Sequence, residues 1–153
     1  MSDPRIIVTV QEAAFAFDEG YAALLDNRCD IGAVVGFTGL VRDFNEAPEV
    51  TALTLEHYPG MTERALGDIA AQACARWALT GVVIIHRVGR LVPGDPIVRV
   101  LAASAHRRDA FEGCDFIMDI LKTRAPFWKK EHATQGDYWV KERESDAGDA
   151  ARW

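Results

Sequence analysis

IVRVLAASAHRRDAFEGCDFIMDILKTRAPFWKKEH, residues 97–132, reads as a strand, a helix and a second strand in succession. Ile97 to Ala103 is an apolar, β-branched run that follows the turn signal Val92-Pro93-Gly94-Asp95-Pro96. Arg107 to Arg124 is the long helix, and it stops near Pro126 because the residue before a proline is pushed out of the helical region. Phe127 to His132 alternates as a strand, which sends Lys129 and Lys130 to opposite faces.

Similar signals lie upstream. Arg5 to Val10 is a short β-branched strand, and Asp18 to Asp26 reads as a helix with Tyr21, Leu24 and Leu25 on one side. Gly32 to Arg42 is strand-like but glycine-rich, and glycine inside a strand marks a bulge or a close approach to the backbone. Thr51 to His57 alternates as a half-buried strand that Pro59-Gly60 ends. Thr62 is the predicted cap of a helix whose apolar positions, Ala65, Leu66, Ile69, Ala73 and Trp77, recur at three and four residues until Thr80-Gly81. Val82 to Ile85 is a strand, and Asp137 to Arg143 closes a hairpin with Phe127 to His132 across Gln135-Gly136. The order β-α-β-β-α-β-β-α-β-β, without a repeat or a linker, predicts one α+β domain over residues 1–153 with a largely antiparallel sheet. Residues 144–153, acidic and alanine-rich, are predicted to be a loosely held tail.

Composition narrows the function. At 153 residues, 49% hydrophobic and 26% charged, the chain is long enough to bury a core without disulfides or a structural metal. Seventeen Lys and Arg against 23 Asp and Glu leave a net charge of -6, which repels a nucleic-acid backbone, so no nucleic acid is expected as a partner. The uncharged run Ile31 to Val41 falls well short of the ~20 apolar residues of a membrane span. The N-terminus carries no basic and apolar leader pattern, so a cytoplasmic protein is expected. Cys29, Cys74 and Cys114 are odd in number and far apart, which reads as reduced thiols and points away from chemistry on the chain's own sulfur.

Phosphate-loop, dinucleotide, serine-hydrolase and metalloprotease signatures are all missing. His57, His86, His106 and His132 lack metal-ligand spacing, so no metal is expected. What remains is cationic. Ser104-Ala105-His106-Arg107-Arg108 lies where a strand hands over to a helix, so free N–H groups, the positive end of the helix dipole and basic side chains favour an anion together. Pairing of those arginines with Asp109 or Glu112 is the simpler alternative. At about 100° per residue, Lys122 falls within about 20° of Phe111, and this predicts a lysine on the seam of the buried face, partly desolvated and a candidate nucleophile, proton donor or charge stabiliser. A snorkelling lysine whose stem covers apolar surface fits the same spacing. Only one of Lys129 and Lys130 can join Lys122 in a shared pocket, and Pro126 restrains the approach of the chain to it. Arg42, at the end of the glycine-rich strand, is either a ligand contact or a surface partner of Asp43.

Phe37-Thr38-Gly39-x-Val41-Arg42, Leu53-x-Leu55-Glu56-His57-Tyr58-Pro59-Gly60-Met61, His86-Arg87-x-Gly89, Pro93-Gly94-Asp95, Ser104-Ala105-His106-Arg107 and Lys122-Thr123-Arg124-Ala125-Pro126-Phe127-Trp128-Lys129 together resemble the catalytic (large) subunit family of molybdopterin synthase, in order and over residues 6–143. The resemblance implies an α/β hammerhead fold with an additional antiparallel β subdomain. It implies transfer of two sulfur atoms to cyclic pyranopterin monophosphate, forming the molybdopterin dithiolene. The sulfur donor would be the C-terminal thiocarboxylate of a small ubiquitin-like carrier subunit. The implied assembly is a homodimer within a heterotetramer, with no cofactor of its own.

Carried over residue by residue, the resemblance makes Lys122 and Lys129 catalytic. It makes Arg42, His106 and Arg107 the anion-binding group, with Phe37 and Met118 lining the pocket, Leu40 and Val41 beside it, and Lys130 and Glu131 near the substrate. Some of these, Arg143 among the candidates, would come from the neighbouring large subunit. Leu40 stands where relatives can carry a basic residue, so there only its backbone is expected to serve. The alternative function is a non-catalytic module that binds a phosphorylated metabolite or a partner tail.

Overall fold

The structure is a computed structural model, and it describes residues 3–43, 50–133, 136–140 and 144–153. The strands are β1 (Arg5–Gln11), β2 (Ala33–Leu40), β3 (Val50–His57), β4 (Leu79–Arg87), β5 (Gly89–Leu91), β6 (Pro96–Ser104), β7 (Phe127–Ala133) and β8 (Gly136–Val140). The helices are α1 (Tyr21–Leu25), α2 (Met61–Arg76), α3 (Arg107–Arg124) and α4 (Glu144–Ala151).

Two four-stranded sheets result, the first in the order β1-β4-β6-β2 and the second in the order β5-β3-β7-β8. Only β1 and β4 pair in parallel; every other pair is antiparallel, so the α+β expectation is borne out. β4 and β6 are central in the first sheet, and their residues 81–86 and 98–104 are buried without a break. Burial on both faces is why Val82 to Ile85 reads as a continuous apolar run and not as an alternation. α2 and α3 cover one face through Leu66, Ile69, Ala73, Val82, Ile84, Val98, Val100, Ile117, Ile120 and Leu121. The other face carries a thinner layer of Phe15, Leu24, Val83, Ile85, Leu101 and Ala103. The second sheet packs its inner side on Val41 and Ile97 through Leu53, Leu55 and Leu91.

Several local expectations need correcting. α2 begins at Met61 with Gly60 as its cap residue at φ 84°, and the Glu63 carboxylate accepts the Gly60 N–H. Thr62 is not the cap: it is fully buried, and its hydroxyl donates to the Tyr58 carbonyl. α1 is shorter than the sequence suggested, bounded by Gly20 at φ 88° and Asn27 at φ 55°, and Tyr21 lies 44% exposed. β5 adds a strand that hides in three residues beside the Val92–Asp95 turn.

The acidic tail is also more ordered than its composition implies. It forms α4, and Arg152 pairs with Asp119 at 2.6 Å and Asp115 at 2.8 Å. Trp153 meets Trp77 and Phe116 edge-on at 5.5 and 5.8 Å. The β7–β8 hairpin forms as predicted, while its turn at Gln135 lies outside the described residues.

Candidate functional site

β6 ends at Ser104 and α3 turns back over it, so the last turn of α3 lies over the start of β6. That end of the first sheet also receives the end of β2, because Leu40 stands opposite Pro96 after a register shift at Gly39. The extra residue of this shift is Ile97 on β6, so the glycine-rich strand faces the bulge without carrying it, and its Gly39 instead allows a close approach of Val98. Immediately beyond, the Val41 N–H donates to the Asp95 carbonyl at 2.8 Å and the Gly94 N–H donates to the Val41 carbonyl at 2.7 Å. Asp95 closes its own turn by accepting the Val92 N–H at 2.9 Å, with Gly94 at φ 92°. Val41 is thereby buried and clamped on both sides, and Arg42 emerges exposed from the clamp. Among the described residues no ion pair joins Arg42 to Asp43.

Lys122 stands in the last turn of α3, and it is exposed. This corrects the seam placement. Phe111, which served as the mark of the core, is itself 53% exposed. The buried stripe is Ala110, Gly113, Cys114, Phe116, Ile117, Ile120 and Leu121, and Lys122 lies roughly 150° around the helix from its middle. Met118 does share the side of Lys122, and the two line a cavity of about 180 Å³ with Asp119 and Asp149. Asp119 is held by Arg152 and by the Trp153 indole N–H. Phe37 projects from the helix-covered side of β2 with its ring close over Gly39, where a side chain would collide with it and with Val98.

The chain leaves α3 through a short bend: the Ala125 N–H donates to the Leu121 carbonyl and the Phe127 N–H to the Ala125 carbonyl. β7 then pairs with β3, with Lys129 opposite Leu55 and Lys130 opposite Thr54. Lys129 and Glu131 share the side of Phe127, while Lys130 lies on the other side with its amine 4.8 Å over the Trp139 ring. Of the two adjacent lysines, Lys129 is therefore the one on the inner side of its sheet.

His106 and Arg107 are at the far end of α3. His106 is the cap residue, with extended backbone at φ -128° and no side-chain cap bond, and both residues are exposed. The Ser104 hydroxyl donates to the Ala78 carbonyl and accepts the His106 N–H. Three first-turn N–H groups are left without a helical acceptor. Among the described residues Arg107 and Arg108 form no ion pair, and Glu112 instead accepts the Trp77 indole N–H at 2.8 Å. The simple pairing alternative for the arginines is thus absent. One chain does not gather the whole predicted set: Arg42, Phe37, Met118, Lys122 and Lys129 belong to one end, His106 and Arg107 to the other. Arg143 lies outside the described residues.

Sequence reasoning passed over His86. It closes the buried run of β4 at 4% exposed, and its ring stacks on Phe127 with centroids 3.8 Å apart and 17° between planes. Its Nδ1–H donates to the Arg87 carbonyl at 2.8 Å. Burial pulls its pKa down to about 4; the Arg87 carbonyl opposes this, and the charges of Lys122 and His57 add to it. A histidine ending a fully apolar strand was the available signal. Among the described residues no His, Cys, Asp and Glu cluster could hold a metal.

Fold and site define an α+β protein with exposed cationic side chains at both ends of one helix, Lys122 at one and Arg107 at the other. The chain belongs to the MoaE protein family, whose model matches residues 10–124. A Pseudomonas aeruginosa protein named molybdopterin synthase catalytic subunit is 58% identical over 146 residues, covering 95% of this chain and 97% of that one. The solved molybdopterin biosynthesis MoaE protein of Burkholderia ambifaria superposes with a TM-score of 0.83 at 48% identity, over 97% of each chain. A Helicobacter pylori chain, solved as a complex of subunits 1 and 2 of molybdopterin-converting factor, shares the fold at 20% identity and a TM-score of 0.73, over 89% of this chain and 91% of that one. No helix among the described residues is long and apolar enough to cross a membrane.

Proposed function

We propose that this chain is the catalytic subunit of a molybdopterin synthase, a cytoplasmic sulfurtransferase that converts cyclic pyranopterin monophosphate to the dithiolene. The observation that carries the reading is the exposed Lys122 at a Met118-lined cavity, at the end of the sheet where Arg42 emerges, in a chain of the MoaE family. Arg42, His106 and Arg107 would hold the substrate phosphate through charge-assisted hydrogen bonds. Because His106 and Arg107 lie at the other end of α3, a second copy of this chain would supply them, and the site would straddle a homodimer. Leu40 and Val41 would offer backbone groups there, and Glu131 and Lys130 would stand nearby, Lys130 from the outer side of the sheet.

The donor is a small ubiquitin-like carrier whose extended C-terminal thiocarboxylate reaches Lys122, one carrier on each end of the dimer. The Lys122 ammonium polarises the thiocarboxylate and stabilises charge as its sulfur attacks a carbon of the pterin side chain and displaces an oxygen there; water then cleaves the resulting thioester, leaving sulfur on the pterin and a carboxylate on the carrier, and Lys129 moves protons or neutralises the developing negative charge. Two carriers are used in turn for the two sulfurs, with the monosulfurated intermediate held by its phosphate.

The deciding experiment mixes the purified chain, the pterin precursor and the thiocarboxylated carrier, and detects dithiolene. Product that forms with wild type and disappears with Lys122→Ala at unchanged folding supports the reading. Full turnover by Lys122→Ala refutes the lysine's role, and binding of precursor without any product identifies a non-catalytic module instead.

A further inference from the structure

The buried imidazole of His86 is a polar group in a position where an apolar ring would pack at lower desolvation cost. It makes a contact between the two sheets: His86 belongs to β4 of the first sheet, Phe127 to β7 of the second, and their rings stack at 3.8 Å. His57 flanks Phe127 from β3 with ring centroids 6.4 Å apart. Phe127 stands five residues after Lys122 and two before Lys129. The bend between the amines consists of Pro126, the Phe127 N–H to Ala125 carbonyl bond and the seating of the Phe127 ring. What distinguishes a histidine here from a phenylalanine is its Nδ1–H, because the bond to the Arg87 carbonyl fixes the ring plane on which Phe127 lies.

We propose that His86 is a positioning residue for the Lys122–Lys129 pair, an anchored floor under Phe127 that sets the bend and hence where each amine points. This rests on the reading of Lys122 and Lys129 as the catalytic amines. The floor must also be uncharged, since an imidazolium would repel the neighbouring ammonium. Burial meets that need, and the charges of Lys122 on α3 and His57 on β3 add to it, while Phe127 is the uncharged ring that β7 stacks on it. At neutral pH the ring carries no charge.

Three variants separate the parts: His86→Phe keeps a ring without the anchor, His86→Gln keeps a donor without the stack, and His86→Ala loses both. Two readouts apply to the folded fraction of each, in the complex with the thiocarboxylated carrier and in the chain alone. In the first, kcat for dithiolene formation falls by about 10- to 100-fold in His86→Ala and by less in His86→Phe, while KM for the carrier stays within about twofold. In the second, trace acetylation of amines followed by peptide mass mapping shows changed rates at Lys122 and Lys129 relative to Lys130.

Unchanged kcat and unchanged labelling in any folded variant lacking the stack overturn the proposal, as does a rise in KM with kcat intact. If His86→Ala does not fold, His86→Gln decides. Should wild type make no dithiolene at all, the functional reading fails by itself, and the labelling readout still decides whether His86 sets the two amines.

Discussion

Lys122 and Arg107 stand at opposite ends of α3, about 22 Å apart along its axis at 1.5 Å per residue. No rotation of side chains brings both onto one small substrate. If both serve one reaction, they do so from different copies of the chain. Lys122→Ala and Arg107→Ala homodimers should therefore each be nearly inactive. A mixture refolded together should recover activity, because a mixed dimer holds one site with both residues intact. Random mixing sets the ceiling at about a quarter of wild type, since half the dimers are mixed and each has one good site of two. Assaying the co-refolded mixture against the separate variants checks this, and no recovery would place Arg107 outside the site.

His86 couples stability to pH. Its folded pKa of about 4 lies below the ordinary 6.5, so the unfolded chain takes up a proton that the folded chain refuses. The contribution is whole above about 6.5 and is lost as pH falls toward 4, about 3 kcal/mol at 1.36 kcal/mol per unit. Urea midpoints measured from neutral pH down to about 4 should fall more steeply for wild type than for His86→Phe. Parallel curves would remove His86 as the cause.

The three thiols should differ in reactivity. Burial pushes the Cys74 thiol up to about 11 and, with Asp115 adding and Arg99 opposing, the Cys114 thiol up to about 12, so neither forms appreciable thiolate near neutrality. Cys29 is exposed. Iodoacetamide on the native chain should label Cys29 alone, and all three after urea, as read by intact mass and peptide mapping.

Much of this architecture is legible in the sequence because its signals are local. Pro126 ends α3 near the predicted residue, the alternation of Phe127 to His132 separates Lys129 from Lys130, and Gly39 of β2 marks a close approach, by Val98 and the Phe37 ring. Lys122 was misplaced because an exposed phenylalanine, Phe111, mimics a core position on an amphipathic helix. The axial distance between Arg107 and Lys122 follows from helix rise alone, whereas the 100° period fixes only direction around the axis. The one local sign of His86 is its place at the end of an apolar strand; its burial is created by a second sheet arriving from residues 127–133. The tail's order likewise depends on Trp77, Phe116 and Asp119, which are distant in sequence.

A side-chain relay pins the second sheet. The His132 Nδ1 bonds the Asp137 carboxylate at 3.0 Å, and its Nε2 shares a hydrogen bond with the Thr54 hydroxyl at 2.5 Å. The relay crosses β3, β7 and β8, and β8 is an edge strand with one neighbour, so its hold depends on such cross-strand bonds. Thr54→Val keeps the shape and removes the hydroxyl, stranding Nε2 of a side chain that is only 20% exposed. The expected cost is about 1 kcal/mol, near the low end for a polar group left unsatisfied, because Asp137 is half in solvent. Amide exchange should quicken in β7 and β8 while β4 and β6 keep their protection, since opening of the edge leaves the central strands intact. Equal quickening in both sheets would show instead that the relay contributes to global stability and not to the edge.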